Sequence, residues 1–220
     1  MTSINKLLTI ALLSPLFALS TLQAQNSDDT LPLQEGSKAL QFQISDNFNL
    51  NSFSGTLFSY KRHLSEDRAN RVGLSLNSRY TTSDFPNNNN DRDDSIADIN
   101  LGMEYTRMHY TNPDSEIKFY YGYGPGINFG YERSVRDETN SKITDRSALY
   151  GISGIGYAGV EWFFHSSISL HAEYHGAIQV NHRRIKQTTE SNSVENTNRI
   201  NTTSFSLGGD GVRFGLSVYF

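Results

Sequence analysis

Cysteine is absent from the 220 residues. That excludes a disulfide framework, a thiolate metal site, a thiol nucleophile and the acyl anchor of a lipoprotein. There is no excess of positive charge either. With 19 basic and 23 acidic residues the net charge is −4, and no nucleic-acid partner is expected without a basic stripe. Hydrophobic residues make up only 36%. No segment after the N-terminus approaches the roughly 18 consecutive apolar residues of a spanning helix, so a helical membrane bundle is excluded. Proline is scarce at 5, and tryptophan occurs once. What the chain does hold is 12 Tyr, 13 Phe and 17 Gly. So many aromatics argue against disorder, and together with few aliphatics they suit β-structure.

The N-terminus reads as an export address. Lys6 supplies the positive start, Leu7–Leu19 the apolar stretch, and Leu22-Gln23-Ala24 a cleavage site with a small final residue. Residues 1–24 are therefore expected to be a signal peptide, since the apolar stretch is too short to span a bilayer comfortably. Residues 25–37 form a short polar leader with Pro32, and 38–220 the domain proper.

Within that domain the hydrophobic period is two, and sustained helical spacing is missing. Eight strands are expected, near 39–46, 55–63, 71–80, 96–110, 117–131, 148–164, 168–180 and 205–220. The seventh sets Ile168, Leu170, Ala172, Tyr174, Ile178 and Val180 against Ser169, His171, Glu173, His175 and Gln179. A period of two means that one face of the sheet differs from the other. In the last strand the parity slips near Gly208-Gly209, where a β-bulge is the simplest repair. From the second connection onward, short and long segments take turns. Residues 81–94, 132–147 and 181–204 are long; 64–70, 111–116 and 165–167 are short. The fold expected is all-β: an eight-stranded antiparallel up-and-down transmembrane β-barrel with short periplasmic turns and long extracellular loops.

Alternation alone does not choose between a soluble barrel, apolar inside, and a membrane barrel, apolar outside. Aromatics at the strand ends favour the membrane: Tyr80, Tyr131, Tyr150 and Phe205 near the long connections, Trp162, Phe164 and Phe220 near the short ones. So does a polar face that mixes glycines with isolated charges. The ending Phe214-Gly215-Leu216-Ser217-Val218-Tyr219-Phe220 resembles the terminal strand by which outer-membrane barrels are recognised. The whole of 38–220 resembles the small eight-stranded outer-membrane β-barrel superfamily, which includes the OmpA transmembrane domain and the OmpX- and OmpW-type proteins. The resemblance selects no subfamily. It implies a Gram-negative outer-membrane location, contact with outer-membrane lipid and lipopolysaccharide, a monomer, and delivery by the barrel assembly machinery through Phe214, Leu216, Val218 and Phe220. No periplasmic peptidoglycan-binding domain is expected after the barrel.

The interior of such a barrel is just wide enough for side chains. Inward parity gives Lys61, His63, Arg71, Arg79, Asp98, Glu104, Lys118, Glu161, His171, Glu173, His175 and Arg213. A mutually paired network across the lumen is expected, with Arg213 and Glu173 as the first pair. No catalytic residue, cofactor or metal site is assigned, and the extracellular ligand is left open. The function expected is non-enzymatic: a structural or surface-interaction role. Two alternatives stand beside it. One is a narrow pore, drawing on the inward glycines 122, 124, 126 and 130, or a lateral route at Gly124-Pro125-Gly126, where proline removes a ladder donor. The other is a lipid A-modifying enzyme, because His165-Ser166-Ser167 with Glu173 superficially resembles the His-x-Ser pair of the lipid A deacylases. His171, Glu173 and His175 share a face, but at about 7 Å spacing along a strand a metal would need reoriented side chains. The run 87–94 (NNNNDRDD) offers oxygen ligands without the spacing of a calcium loop.

Overall fold

The alternation becomes one continuous sheet. The computed structural model describes residues 33–45, 56–85, 92–138, 141–191 and 194–220. The signal segment, most of the leader and the Asn-rich run 87–90 lie outside these. The strands are β1 (Lys38–Ser45), β2 (Thr56–Ser65), β3 (Arg68–Phe85), β4 (Arg92–Tyr110), β5 (Ile117–Glu138), β6 (Ser141–His165), β7 (Ile168–Ser191) and β8 (Val194–Tyr219). Each pairs antiparallel with the next, and β1 closes on β8. The terminal strand performs that closure: Leu40, Phe42 and Ile44 face Val218, Leu216 and Phe214 in the ladder.

Three long segments set aside as loops are strand instead. β3 and β4 pair without a break up to Phe85 and Arg92, β5 and β6 up to Glu138 and Ser141, and β7 and β8 up to Ser191 and Val194. β6, β7 and β8 run for 25, 24 and 26 residues, whereas about 9–11 tilted residues cross a bilayer. More than half of each strand therefore projects as hairpin. Their Thr, Asn and Ser content looks loop-like, but Thr is a good strand residue and the backbone is paired in the ladder along their length. The other end is made of short turns at 66–67, 111–116 and 166–167.

The slip in β8 is a bulge. His175 faces Gly211 and Gly176 faces Gly209, which leaves Asp210 as the extra residue. Gly211 takes φ +86°, a left-handed conformation that glycine adopts without steric cost.

Within the expected polar leader, Leu33 folds back under the turn end and is almost completely buried, joining Ala39, Ala69, Met108, Tyr110 and Tyr219. The Gly36 N–H donates to the His63 carbonyl and the His63 N–H to the Ser37 carbonyl, so the leader is stitched to β2.

Candidate functional site in the barrel lumen

The wall has its polarity inverted relative to a soluble barrel. Lys61, Arg71, Glu161, Glu173, His171 and His175 are buried, while Leu74, Leu101, Ile127, Ile152, Leu170 and Ile178 are exposed on the outside. The strand-end aromatics Tyr80, Tyr131, Tyr150, Phe205, Trp162, Phe164 and Phe220 are all exposed as well. A continuous apolar band outside, charge inside and no free sheet edge in the spanning wall is the arrangement that hydrocarbon demands. This is a closed β-barrel with the wall of a membrane-spanning one. No protein-family model and no curated protein matches the chain. Among solved structures, CarO2 of Acinetobacter baumannii is 9% identical, covers 85% of this chain and 100% of its own, and has a TM-score of 0.42. The attachment invasion locus protein Ail of Yersinia pestis is 14% identical, with 85% and 100% covered and a TM-score of 0.30. The outer membrane protein AlkL is 10% identical, with 90% and 96% covered and a TM-score of 0.42.

Register explains how the lumen of this barrel is wired. Lys61 on β2 stands directly opposite Arg71 on β3, a like-charge neighbour pair that the ladder alone would penalise. Each finds its anion across the lumen. Lys61 Nζ meets Glu161 on β6 at 2.9 Å, and Arg71 Nη1 meets Glu173 on β7 at 2.5 Å. In a ring of eight, β2 and β6 are diametrically opposite, and so are β3 and β7. The two ion pairs are therefore cross-braces of the barrel.

The carboxylates are saturated by hydroxyls. Glu161 also accepts from Tyr110 at 2.7 Å, Ser169 at 2.6 Å and Tyr219 at 2.8 Å. Glu173 accepts from Tyr120 at 2.7 Å and lies 2.6 Å from His175 Nε2. The Arg71 guanidinium lies over the Tyr157 ring, 4.2 Å from its centroid, and Glu104 sits 3.5 Å away as a second anion. His171 is occupied by Gln43 and Ser217 at 3.0 and 3.1 Å. Glu173 and His175 are thus bonded to each other, while His171 is turned to Gln43 and Ser217.

Three of the residues assigned to the network, Arg79, Asp98 and Lys118, stand elsewhere. Arg79 is exposed and pairs with Asp98 at 2.8 Å beyond the buried section. It reaches that position because β3 continues upward to Phe85. Lys118 is buried at the turn end, where its ammonium caps the carbonyls of Pro113 and Ser115. Arg213 faces Glu173 in the ladder and lines the lumen just above it, and the Glu173 carboxylate also meets Arg71, Tyr120 and His175.

The sequence reading names no tyrosine in the network, although Tyr120 shares the polar face of its strand with Lys118 and Gly122; Tyr110, Tyr120 and Tyr157 all belong to it. The signal was present in their pairing with glycine. A Cβ at Gly122 would fall 2.2 Å from the Tyr157 ring, and one at Gly159 2.9 Å from the Tyr120 ring. The inward glycines make room for tyrosines of the adjacent strands, so at Gly122 the expected free space is occupied. Gly124 has another reason: its Cβ would lie 1.9 Å from the Tyr105 carbonyl oxygen. Positions 124 and 125 lack ladder partners on β4 but keep Ile155 and Gly154 on β6. The wall at Gly124-Pro125-Gly126 is a one-sided break in pairing with the two backbones in close approach.

Above the braces the lumen opens into a cavity of about 210 Å³, lined by Glu104, Asn128, Ser153, Gln179 and Arg213.

Proposed function

We propose that the chain is a non-enzymatic outer-membrane protein, structural or surface-interacting, whose lumen is closed at the turn end by the Lys61–Glu161 and Arg71–Glu173 braces. The turn end faces the periplasm and the long hairpins face outward, the usual disposition when one end carries turns and the other long connections. The observation that carries this reading is the complete burial of all four charged side chains in the lumen. Four groups bound across the full diameter leave no continuous water path, and parting them would strand buried charges. Surface contact then falls to the hairpins, where function on a rigid scaffold collects. Outward-facing Phe214, Leu216, Val218 and Phe220 remain the residues offered to the assembly machinery.

Conductance of the purified protein in planar bilayers tests the reading: no stable openings are expected, and sustained ohmic openings would overturn it. A second reading, a narrow pore, is favoured by one observation, the glycine-rich cavity above the braces, and predicts those openings. For the enzymatic alternative the geometry is unhelpful. His165 Nδ1 accepts the Ser167 N–H at 3.2 Å in the turn, whereas Glu173 points into the lumen on the far side of the wall. Lipid A from a deletion strain should carry the parental number of acyl chains.

A further inference from the structure

The projecting part of the sheet carries an unusual row. The ladder places Arg133 of β5 opposite Arg146 of β6, Arg146 opposite Lys186 of β7, and Lys186 opposite Arg199 of β8. Four cations stand in one line across four adjacent strands, spanning roughly 14 Å at the usual strand spacing. All four have the outward parity of the lipid-facing wall, with Tyr131, Tyr150 and Val180 below them on the same strands. None has a carboxylate within ion-pairing distance among the described residues. Like charges directly opposite one another destabilise a sheet. The nearest outward acids, Asp137, Glu190 and Glu195, lie two rows higher, beyond the threonine row that includes Thr144, Thr188 and Thr197.

Two concavities adjoin the row. One of about 260 Å³ is lined by Tyr131, Arg146, Arg184, Lys186 and Arg199. Immediately below it, on the apolar wall, lies a groove of about 1010 Å³ lined by Leu101, Ile127, Phe129, Tyr150, Ile152 and Val180. His182 lines the groove and Arg184 the upper cavity, and Arg184 Nε donates to His182 Nε2 at 3.3 Å. A cationic shelf thus sits directly over a hydrocarbon-lined groove, at the level where apolar wall gives way to polar hairpin.

We propose that the outward row Arg133–Arg146–Lys186–Arg199, with Arg184 beneath it, binds the phosphate groups of a lipid in the outward-facing leaflet, whose acyl chains lie in the groove below. The site rests on the membrane orientation proposed above. The unpaired cations suit this occupant, because phosphates seated on them would relieve their mutual repulsion. The groove supplies the second half of the recognition, because phosphate alone has no use for an apolar trough.

The test uses the full barrel in detergent, with thermal unfolding and native mass spectrometry as readouts and lipid A as the probe. Dephosphorylated lipid A and inorganic phosphate are the comparison arms. The parent is expected to retain lipid A and to rise in Tm with it, and to respond far less to either comparison. The variant R133Q/R146Q/K186Q/R199Q should bind lipid A at least tenfold more weakly, since one cation at an anionic surface is worth on the order of fivefold. R183Q, an exposed cation of the opposite parity on β7, should bind as the parent does. Without lipid the quadruple variant should be at least as stable as the parent, which separates lost binding from lost folding. Equal retention of phosphorylated and dephosphorylated lipid would overturn the proposal. So would full displacement by millimolar inorganic phosphate, which marks a free-anion site, or unchanged binding by the quadruple variant. Stable openings in the conductance test would strike the lumen reading and leave this result untouched.

Discussion

Breaking one brace should cost more than removing it. Lys61 and Glu161 are both fully buried, and their charges are matched only by each other and by hydroxyls. Lys61→Met leaves the Glu161 carboxylate with three hydroxyl donors and no cation. Glu161→Gln leaves the Lys61 ammonium without an anion, and the amide nitrogen can no longer accept from whichever donors faced that oxygen. Severing a buried pair in this way costs about 3–5 kcal/mol. In K61M/E161Q neither half of this brace leaves a charge behind, and the amide can donate to the Tyr110 or Tyr219 hydroxyl oxygen. The double variant should lose only about 1–2 kcal/mol, the scale of one or two imperfect neutral hydrogen bonds. Additivity would instead demand about 6–10 kcal/mol, so the cycle has a coupling energy of several kcal/mol. The assay is built in: Trp162, the single tryptophan, adjoins Glu161 and points to lipid. Its fluorescence during urea unfolding in lipid vesicles reports each variant. Additive losses, or single variants within about 1 kcal/mol of the parent, would refute the brace.

Three further outcomes follow from particular contacts. Gly124→Ala should lower the folded fraction on an unheated denaturing gel, by an overpacking cost of about 1–3 kcal/mol, because its Cβ meets the Tyr105 carbonyl; Gly154→Ala, with nothing within 4 Å, should leave the fraction unchanged. Leu33→Asp should destabilise the barrel by at least the roughly 2 kcal/mol of a buried leucine, read in the same urea unfolding, since Leu33 is sealed under the turn end. At the turn between β2 and β3, the Ser65 hydroxyl at 2.6 Å, and then Arg68, hold the exposed Asp67 carboxyl below its ordinary value of 3.8. A depressed carboxyl contributes stability above its unfolded pKa and loses it as pH falls through the folded one. Ser65→Ala should therefore raise the Asp67 midpoint in a carbon-13 NMR titration.

The register of the lumen was largely legible because parity is conserved along a strand: one inward residue fixes every second one. That is how Lys61, Arg71, Glu161, Glu173 and Glu104 could be placed on one face before any coordinates. Partner choice was not legible. A ladder neighbour such as Arg213 is visible in sequence as soon as strands are aligned, but a partner on the opposite wall depends on the barrel's shear and diameter. The strand ends were hidden for a different reason. Beyond Tyr131 and Val180 both faces meet water, so hydrophobic alternation fades, yet hydrogen bonding continues. A method that follows apolar period stops where the bilayer stops. The inward tyrosines fell between the two: their hydroxyls belong to the charge network, and their rings need glycine neighbours that alternation does not score.

The placement of polar and small residues along the axis divides the labour of the barrel. Near the turn end, beside buried Leu33, tyrosines, carboxylates and cations line the lumen and bond one another. Further up, Gly73, Gly102 and Gly126 line a cavity in place of bulky side chains. Higher still, hydrogen-bonded hairpins take over. Only the first section braces opposite walls, so resistance to unfolding should be concentrated there. The upper sections rest mainly on strand pairing, with side-chain bonds such as Asn128 to Asn181 two strands away. Such a wall can deform to fit what binds it without disturbing the braced base. An interaction surface mounted on a sealed barrel needs that separation, whereas a pore would need its polar lining to persist from one mouth to the other.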